Sequence, residues 1–384
     1  MKIKYMNKLR GPIRSVKLIT LLLAQVLLTG CQTYDYDGIV PWNPPICQGL
    51  YFVDAHSQVE KFIDTESEPE EEMTADEIKD FILQKMGSVK VARSILYPRA
   101  GQSHDTIVNI SDLTSGTTKI YPAIAVKGNY YSYSYPRLQP LRLQQRIDSG
   151  KFHALGEVLL YHEEKPGIDA GEVVMYPTNP EVQYLYQVAK QEGWPLILHI
   201  EDAAMSRRTQ IQMYRTLCRV GLNLGNYEAH SLYEERCTNL YQNELDMTDH
   251  PVVFIHMAQL PPDRVEWILD NNENVHFMIS HSNPISAERK HPWINMFSNG
   301  EFSPSWRRLL KKYPKRFIFA LDNVTQDHWT EDYEKIVELW HKALNRLPDS
   351  AAHDVAHGNA ERLWGIPPSC YPADNTPEVE DNYP

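Results

Sequence analysis

A short apolar run that ends in a histidine is the strongest constraint in this chain. Pro195-Leu196-Ile197-Leu198-His199-Ile200-Glu201 follows a helix stop at Gly193 and reads as a buried β-strand. A strand buried on both faces has no structural use for an imidazole, which is costly to bury without a partner. The pattern recurs. Residues 252–255 run into His256, residues 317–321 into Asp322, and residues 51–53 into Asp54-Ala55-His56. Apolar strands with ligand-type side chains at their C-terminal ends predict a metal-dependent α/β fold, the (β/α)8 barrel. Active sites of that fold gather at the rim where those ends meet.

Between these runs lie helical patterns, and the alternation predicts a parallel sheet. Strands are expected at 50–55, 91–97, 119–126, 154–160, 195–200, 251–256, 275–280 and 316–321, enough to close a barrel. Thr74-Ala75-Asp76-Glu77 is a capping box, with Ile78, Phe81, Ile82 and Met86 on one helix face behind it. Asn179-Pro180 opens another helix, whose inner face carries Val182, Leu185, Tyr186 and Ala189. Further helices are expected at 140–148, 304–312 and 330–345. Residues 201–250 exceed a minimal connection and carry helical patterns near 206–218 and 228–243, so they read as a lid or substrate wall over the catalytic face. At 384 residues the chain accommodates one barrel domain at 49–366 and a Pro/Asp-rich tail at 367–384.

The first 30 residues are read as a processing segment and excluded from the fold. Residues 1–17 carry six Lys/Arg and no acid, and residues 18–28 form an apolar stretch too short to span a bilayer. Leu28-Thr29-Gly30-Cys31 resembles the bacterial lipobox, which implies cleavage before Cys31 and a diacylglycerol thioether on its sulfur. Gln32 in the next position implies, by the same resemblance, an outer-membrane lipoprotein facing the periplasm. Residues 31–48 would tether domain to lipid. Loss of six positive charges takes the net charge from −12 to −18, which argues against a nucleic-acid partner. In an oxidising envelope the remaining Cys47, Cys218, Cys237 and Cys370 suggest disulfides. Cys218–Cys237 with Cys47–Cys370 is the preferred pairing among three, with free buried thiols the alternative.

The strand-end donors are His56, Glu157, His199, His256 and Asp322. Imidazole and carboxylate together suit a zinc-like divalent ion, one or two per chain, with a position left for water. Any one of these histidines alone would read as an ordinary core or loop residue; their common place at strand ends makes a site. Arg99, after Tyr97-Pro98, is a candidate anchor for an anionic substrate group, though a surface arginine is the plainer reading. His162-Glu163-Glu164 reads as either a group behind the ligands or exposed loop. His353 and His357 have i, i+4 spacing but lack the glutamate of a zincin helix, and read as structural. Tyr130, Tyr131, Tyr133 and Tyr135 read as a loop packed on the barrel.

In Asp54-Ala55-His56, Gly156-Glu157, His199, His256, Leu321-Asp322-Asn323 and the closing Gly358-Asn359-Ala360, the chain resembles the amidohydrolase superfamily. The resemblance is to its amidohydrolase 2 and TatD-like branches and spans about residues 50–366. It implies metal-assisted hydrolysis of a small-molecule substrate. Asp322 would accept the proton of the attacking water, and His256 or His281 would polarise the scissile oxygen. The family's first strand usually carries His-x-His, whereas here His56 is followed by Ser57-Gln58. Glutamine is a poor ligand for a zinc-like ion. Three outcomes stay open: one metal, two metals with a weakened site, or a barrel that has lost its metal and serves as an envelope binding protein. A lyase or decarboxylase of the same superfamily is a further alternative.

Overall fold

The computed structural model describes residues 49–64, 71–99, 103–112, 118–126, 140–164, 172–225, 246–287, 293–330 and 332–370. These belong to a unit spanning 45–384, and the first 44 residues lie outside the described residues. Cys31, Cys47, Cys237, the four loop tyrosines and the helical pattern at 228–243 are therefore outside them as well. No helix among the described residues is long and apolar enough to cross a membrane.

Eight parallel strands close into a ring. They are β1 (Phe52–Val59), β2 (Val91–Pro98), β3 (Lys119–Ala125), β4 (Ala154–Gly156 and Val158–His162), β5 (Leu196–Ile200), β6 (Val252–Phe254), β7 (Val275–Met278) and β8 (Phe317–Ile318). Each pairs in parallel with the next, from Phe52 against Val91 to Met278 against Ile318. The last gap closes where Ala55 N donates to Phe319 O at 3.1 Å, Gln58 N to Asn323 O at 2.8 Å and Asp322 N to His56 O at 2.7 Å. A sheet closed on itself has no free edge, and its residues divide into interior and exterior faces. The interior is filled by Val53, Ala55, Ile95, Tyr97, Ala123, Ile197, Val253, Ile255, Met278, Ile318 and Ala320. The exterior apolar residues pack under the helices.

Those helices are α1 (Ala75–Ser88), α2 (His104–Asp112), α3 (Pro140–Asp148), α4 (Pro180–Glu192), α5 (Arg207–Arg219), α6 (Pro262–Asn271), α7 (Pro304–Lys312) and α8 (Tyr333–Leu344). The capping box forms on α1, with the Thr74 side chain accepting from Glu77 N and the Glu77 side chain from Thr74 N. Asn179 caps α4 and Gly193 ends it in the left-handed conformation, which only glycine adopts without a steric penalty.

Three expectations are revised. Strand four is not continuous: its first part pairs with β3 and its second with β5, on either side of Glu157. Gly156 makes the junction, with φ +154° and a position where a Cβ would lie 2.9 Å from Ile197 Cβ. The strand also reaches His162, which is 4% exposed and so is not loop. Finally, α5 is the ordinary crossover after β5, with Met213, Tyr214 and Leu217 buried. The flanks of the undescribed stretch 226–245 do not approach the strand ends. Met247 N donates to Val220 O, and Asn274, just before β7, donates to the carbonyls of Met247 and His250. This places the flanks at the N-terminal pole of the barrel, not over its C-terminal mouth.

Candidate metal centre

At the C-terminal mouth, Asp322 follows β8 and its carboxylate faces imidazoles from three other strands. His56 Nε2 lies 3.4 Å from Oδ1, while His256 Nε2 and His281 Nε2 lie 3.3 and 3.1 Å from Oδ2. All four residues are buried. The backbone aims these side chains by leaving the strand conformation as each strand ends. His256, His281 and Asp322 have φ of 51°, 56° and 52°. The left-handed region costs a non-glycine residue roughly 1–2 kcal/mol, and such residues concentrate at functional sites. In β1 the register with β2 shifts between Asp54 and Ser57, which lets His56 and Gln58 both reach Asp322.

The electrostatics suit a cation. Burial raises Asp322, but hydrogen bonds and charge from His281, His56 and His256 outweigh it and hold the carboxyl well below its usual range. Burial holds His256 well below the ordinary histidine value, so the ring is neutral. Neutral imidazole and ionised carboxylate are the ligating forms. His256 Nδ1 meets Ser280 Oγ at 2.9 Å, a partner of the kind that orients a metal-binding ring. His256 and His281 stack at 5.0 Å, with Trp293 4.8 Å from each. Beneath, Asp54 is pushed up to about 6 by burial and accepts from Ser57 Oγ and Leu321 N, tying β1 to β8.

Several buried polar atoms here make no hydrogen bond within the protein. Among the described residues they include His56 Nδ1, the Tyr97 hydroxyl, Asn323 Nδ2 and both amide atoms of Gln259. Buried polar groups are nearly always paired, so their concentration at one mouth marks a site built for something else to bind. The donor set therefore fits a divalent ion. His256, His281 and Asp322 offer atoms that all lie within 4.8 Å of one another, and so do Glu157, His199 and His256.

The expected residues are not all in one cluster. His199 turns away from Asp322. Its Nδ1 lies 2.5 Å from Glu157 Oε2 and its Nε2 3.3 Å from Glu201 Oε1. Its ring sits 5.2 Å from that of His256, so His256 is the link between the two groups. Burial lowers the His199 proton affinity, but Glu157 and Glu201 more than reverse this and raise it. Gln58 is not a ligand in this arrangement: its Nε2 donates to Asp322 Oδ1 at 2.8 Å and positions the carboxylate. Arg99 lies just past the end of β2, half-buried, with Nη1 making no hydrogen bond among the described residues. His353 and His357 are remote, in the closing helical run, where His357 stacks on Tyr51 before β1. Cys218 and Cys370 each take part in a disulfide, with partners outside the described residues. Glu201, His162 and Ser280 were not among the expected ligands. Glu201 shares the inward face of β5 with His199 by simple i, i+2 alternation, a signal present in the sequence.

No family model matches the sequence, and comparison with curated proteins finds no relative. Among solved structures, the chain is similar to an uncharacterised TIM-barrel protein from Bordetella bronchiseptica (13% identity, 83% of this chain and 99% of that one, TM-score 0.49). It is similar also to an amidohydrolase from Burkholderia multivorans with bound Zn (12%, 83% and 100%, 0.43). A TatD-family hydrolase from Entamoeba histolytica is a third (10%, 84% and 100%, 0.46). The barrel itself rests on the closed ring of strands.

Proposed function

We propose that this chain is a metal-dependent hydrolase of the amidohydrolase type, acting on a small-molecule substrate at the C-terminal mouth of the barrel. The observation that carries the reading is the Asp322 carboxylate with three imidazole Nε2 atoms within 3.4 Å of it. His256, His281 and Asp322 would hold a zinc-like divalent ion, with His56 beside them. Such an ion supplies Lewis acidity and lowers the pKa of water toward neutrality. Asp322, kept ionised by its histidine partners, takes the proton of the attacking water and returns it to the leaving group. Gln58 fixes one oxygen of Asp322 and leaves the other to His256 and His281. With His281 Nε2 committed to the ion, the ion itself would polarise the scissile oxygen. Arg99 at the rim is suited to an anionic substrate group through its unbonded Nη1.

The test is a panel of amide, lactone and phosphoester substrates, assayed after chelation and after adding back zinc or manganese. Turnover that appears only with metal supports the reading. An inert protein that also takes up no metal sinks it. The envelope address is a second part of the proposal and rests on Leu28-Thr29-Gly30-Cys31. Metabolic labelling with an alkynyl fatty acid should mark the protein and fail in Cys31→Ser; equal labelling of both removes it.

A further inference from the structure

Beside the Asp322 cluster, on the β4–β5 side of the mouth, lies a second convergent group. His162, His199 and Glu201 offer one ligand atom each, all within 4.8 Å of one another. They are 4%, 2% and 0% exposed, so the group is inside the protein. None is shared with His256, His281 and Asp322.

Each side chain is held from behind by its outer atom. His162 Nδ1 lies 2.8 Å from Glu163 O, and His199 Nδ1 lies 2.5 Å from Glu157 Oε2. A carbonyl and a carboxylate only accept, so both Nδ1 atoms carry the proton and donate it. In the neutral ring this leaves the lone pair on Nε2. Glu201 Oε2 accepts from Glu163 N at 2.6 Å, which leaves Oε1 for the interior. There it meets His199 Nε2 at 3.3 Å. Two lone pairs facing each other repel; a proton on Nε2, which the raised proton affinity of His199 supplies, or a metal ion between the two atoms relieves that repulsion. The separation matches the edge of a tetrahedral site, about 3.3 Å for bonds of ~2.0–2.1 Å. Backbone carbonyl and carboxylate groups behind ligating histidines are the supports that metal sites use to set tautomer and orientation. The mounting is rigid: β4 and β5 are paired neighbours, with Tyr161 opposite Ile200, so His162 and Glu201 follow adjacent positions.

We infer that His162, His199 and Glu201 form a second site for a divalent transition ion, zinc-like in its two-nitrogen, one-oxygen donor set and separate from the site at Asp322. Glu157 stands between the two, bonded to His199 and within reach of His256. The inference goes beyond the hydrolase reading and needs no substrate. It also changes the meaning of Gln58. The histidine missing from strand one weakens a metal position there, and a replacement set of donors stands on strands four and five.

Metal content of the full-length protein tests this, measured by elemental analysis after dialysis against zinc, alongside d–d spectra of the cobalt form. Wild type should hold two equivalents. Glu201→Gln and His162→Gln should each hold one and lose one set of cobalt bands, while Asp322→Asn loses the other set. His162→Gln, on a different strand from Glu201→Gln, guards against one variant failing to fold, and far-UV circular dichroism checks both. One equivalent in wild type, unchanged by Glu201→Gln and His162→Gln but lost in Asp322→Asn, overturns the second site and leaves the proposed hydrolase standing. One equivalent lost in Glu201→Gln and kept in Asp322→Asn supports the second site and removes the first. No metal in wild type overturns both.

Discussion

The two poles of the barrel carry similar side chains arranged in opposite ways. At the N-terminal pole, His353 Nδ1 meets His357 Nε2 at 2.9 Å, and His357 Nδ1 meets Glu361 Oε2 at 2.9 Å. The Tyr51 hydroxyl then donates to Glu361 Oε1 at 2.5 Å. Each of these groups finds a partner in the next, and the chain of bonds leaves no gap. Trp364 and Ile366 plug the interior beneath it. At the C-terminal pole three imidazoles converge on one carboxylate, and neighbouring polar atoms are left unbonded. Left-handed residues mark the same end, at His256 to Gln259, His281 and Asp322. A linear chain of donors and acceptors satisfies itself and stabilises. A convergent one needs something in the middle, and its cost in strain and desolvation is sensible only for function.

The contrast is broken or sharpened first by rate. Asp322→Asn should lower turnover by roughly 10²–10⁴-fold, the range for losing a general acid–base group. Glu361→Gln, the matching change at the other pole, should leave the rate within about threefold. Comparable losses from both would mean the poles are not functionally distinct. Next comes ligand-linked stability. Zinc at about 100 times its dissociation constant should stabilise the wild type by ~2.7 kcal/mol, seen as a rise in Tm. His256→Ala should cut that rise, while Glu361→Gln should keep it.

The sequence made the C-terminal pole easier to anticipate than its internal geometry. The positions of His199, His256 and Asp322 at or just past strand ends follow from apolar runs, because a strand buried on both faces leaves polar residues mostly to its ends, whereas His56 lies inside β1 and Glu157 at the break in β4. The capping box at Thr74 and the Asn179-Pro180 start read correctly because caps are local. The split of the donors into two groups was not legible. It depends on the break in β4 around Glu157 and on the left-handed turns after β6, β7 and β8, which periodicity does not encode. Glu201 was visible by alternation with His199 but carried no motif. His162 required knowing that β4 continues past Tyr161.

Acid stability draws on both poles, since His256 at the mouth and His276 at the other end are both buried neutral. His276, in β7 near the N-terminal pole, is held down to about 3 by burial, with Arg316 adding to the effect. Above pH 6.5 it is neutral whether the chain is folded or not. Below 6.5 the unfolded chain takes up a proton that the folded one refuses. Stability is therefore lost as pH falls from 6.5 toward 3, by on the order of a few kcal/mol for a shift of this size. Urea titrations from pH 7 to 4 should show the loss, and His276→Gln should lessen it, with His256 and His104 carrying the rest. Metal content at pH 7 should not change in that variant. An unaltered slope would shift the acid sensitivity to other groups.

The smallest expected effect tests the closed chain itself. His353 is the outermost link, only partly buried, and its ring meets His357 Nε2. His353→Ala removes that partner, but His357 keeps Glu361 through Nδ1 and its stack on Tyr51 at 3.9 Å. Removing one link from a satisfied chain should therefore cost about 0.5–1.5 kcal/mol, the net value of an ordinary hydrogen bond. The midpoint of urea unfolding should fall with its slope unchanged, since no extra surface is exposed. Turnover and metal content should match wild type. A tenfold loss of turnover at unchanged stability would show that the N-terminal chain is wired to the mouth through the barrel interior, and the two poles would have to be treated as one device.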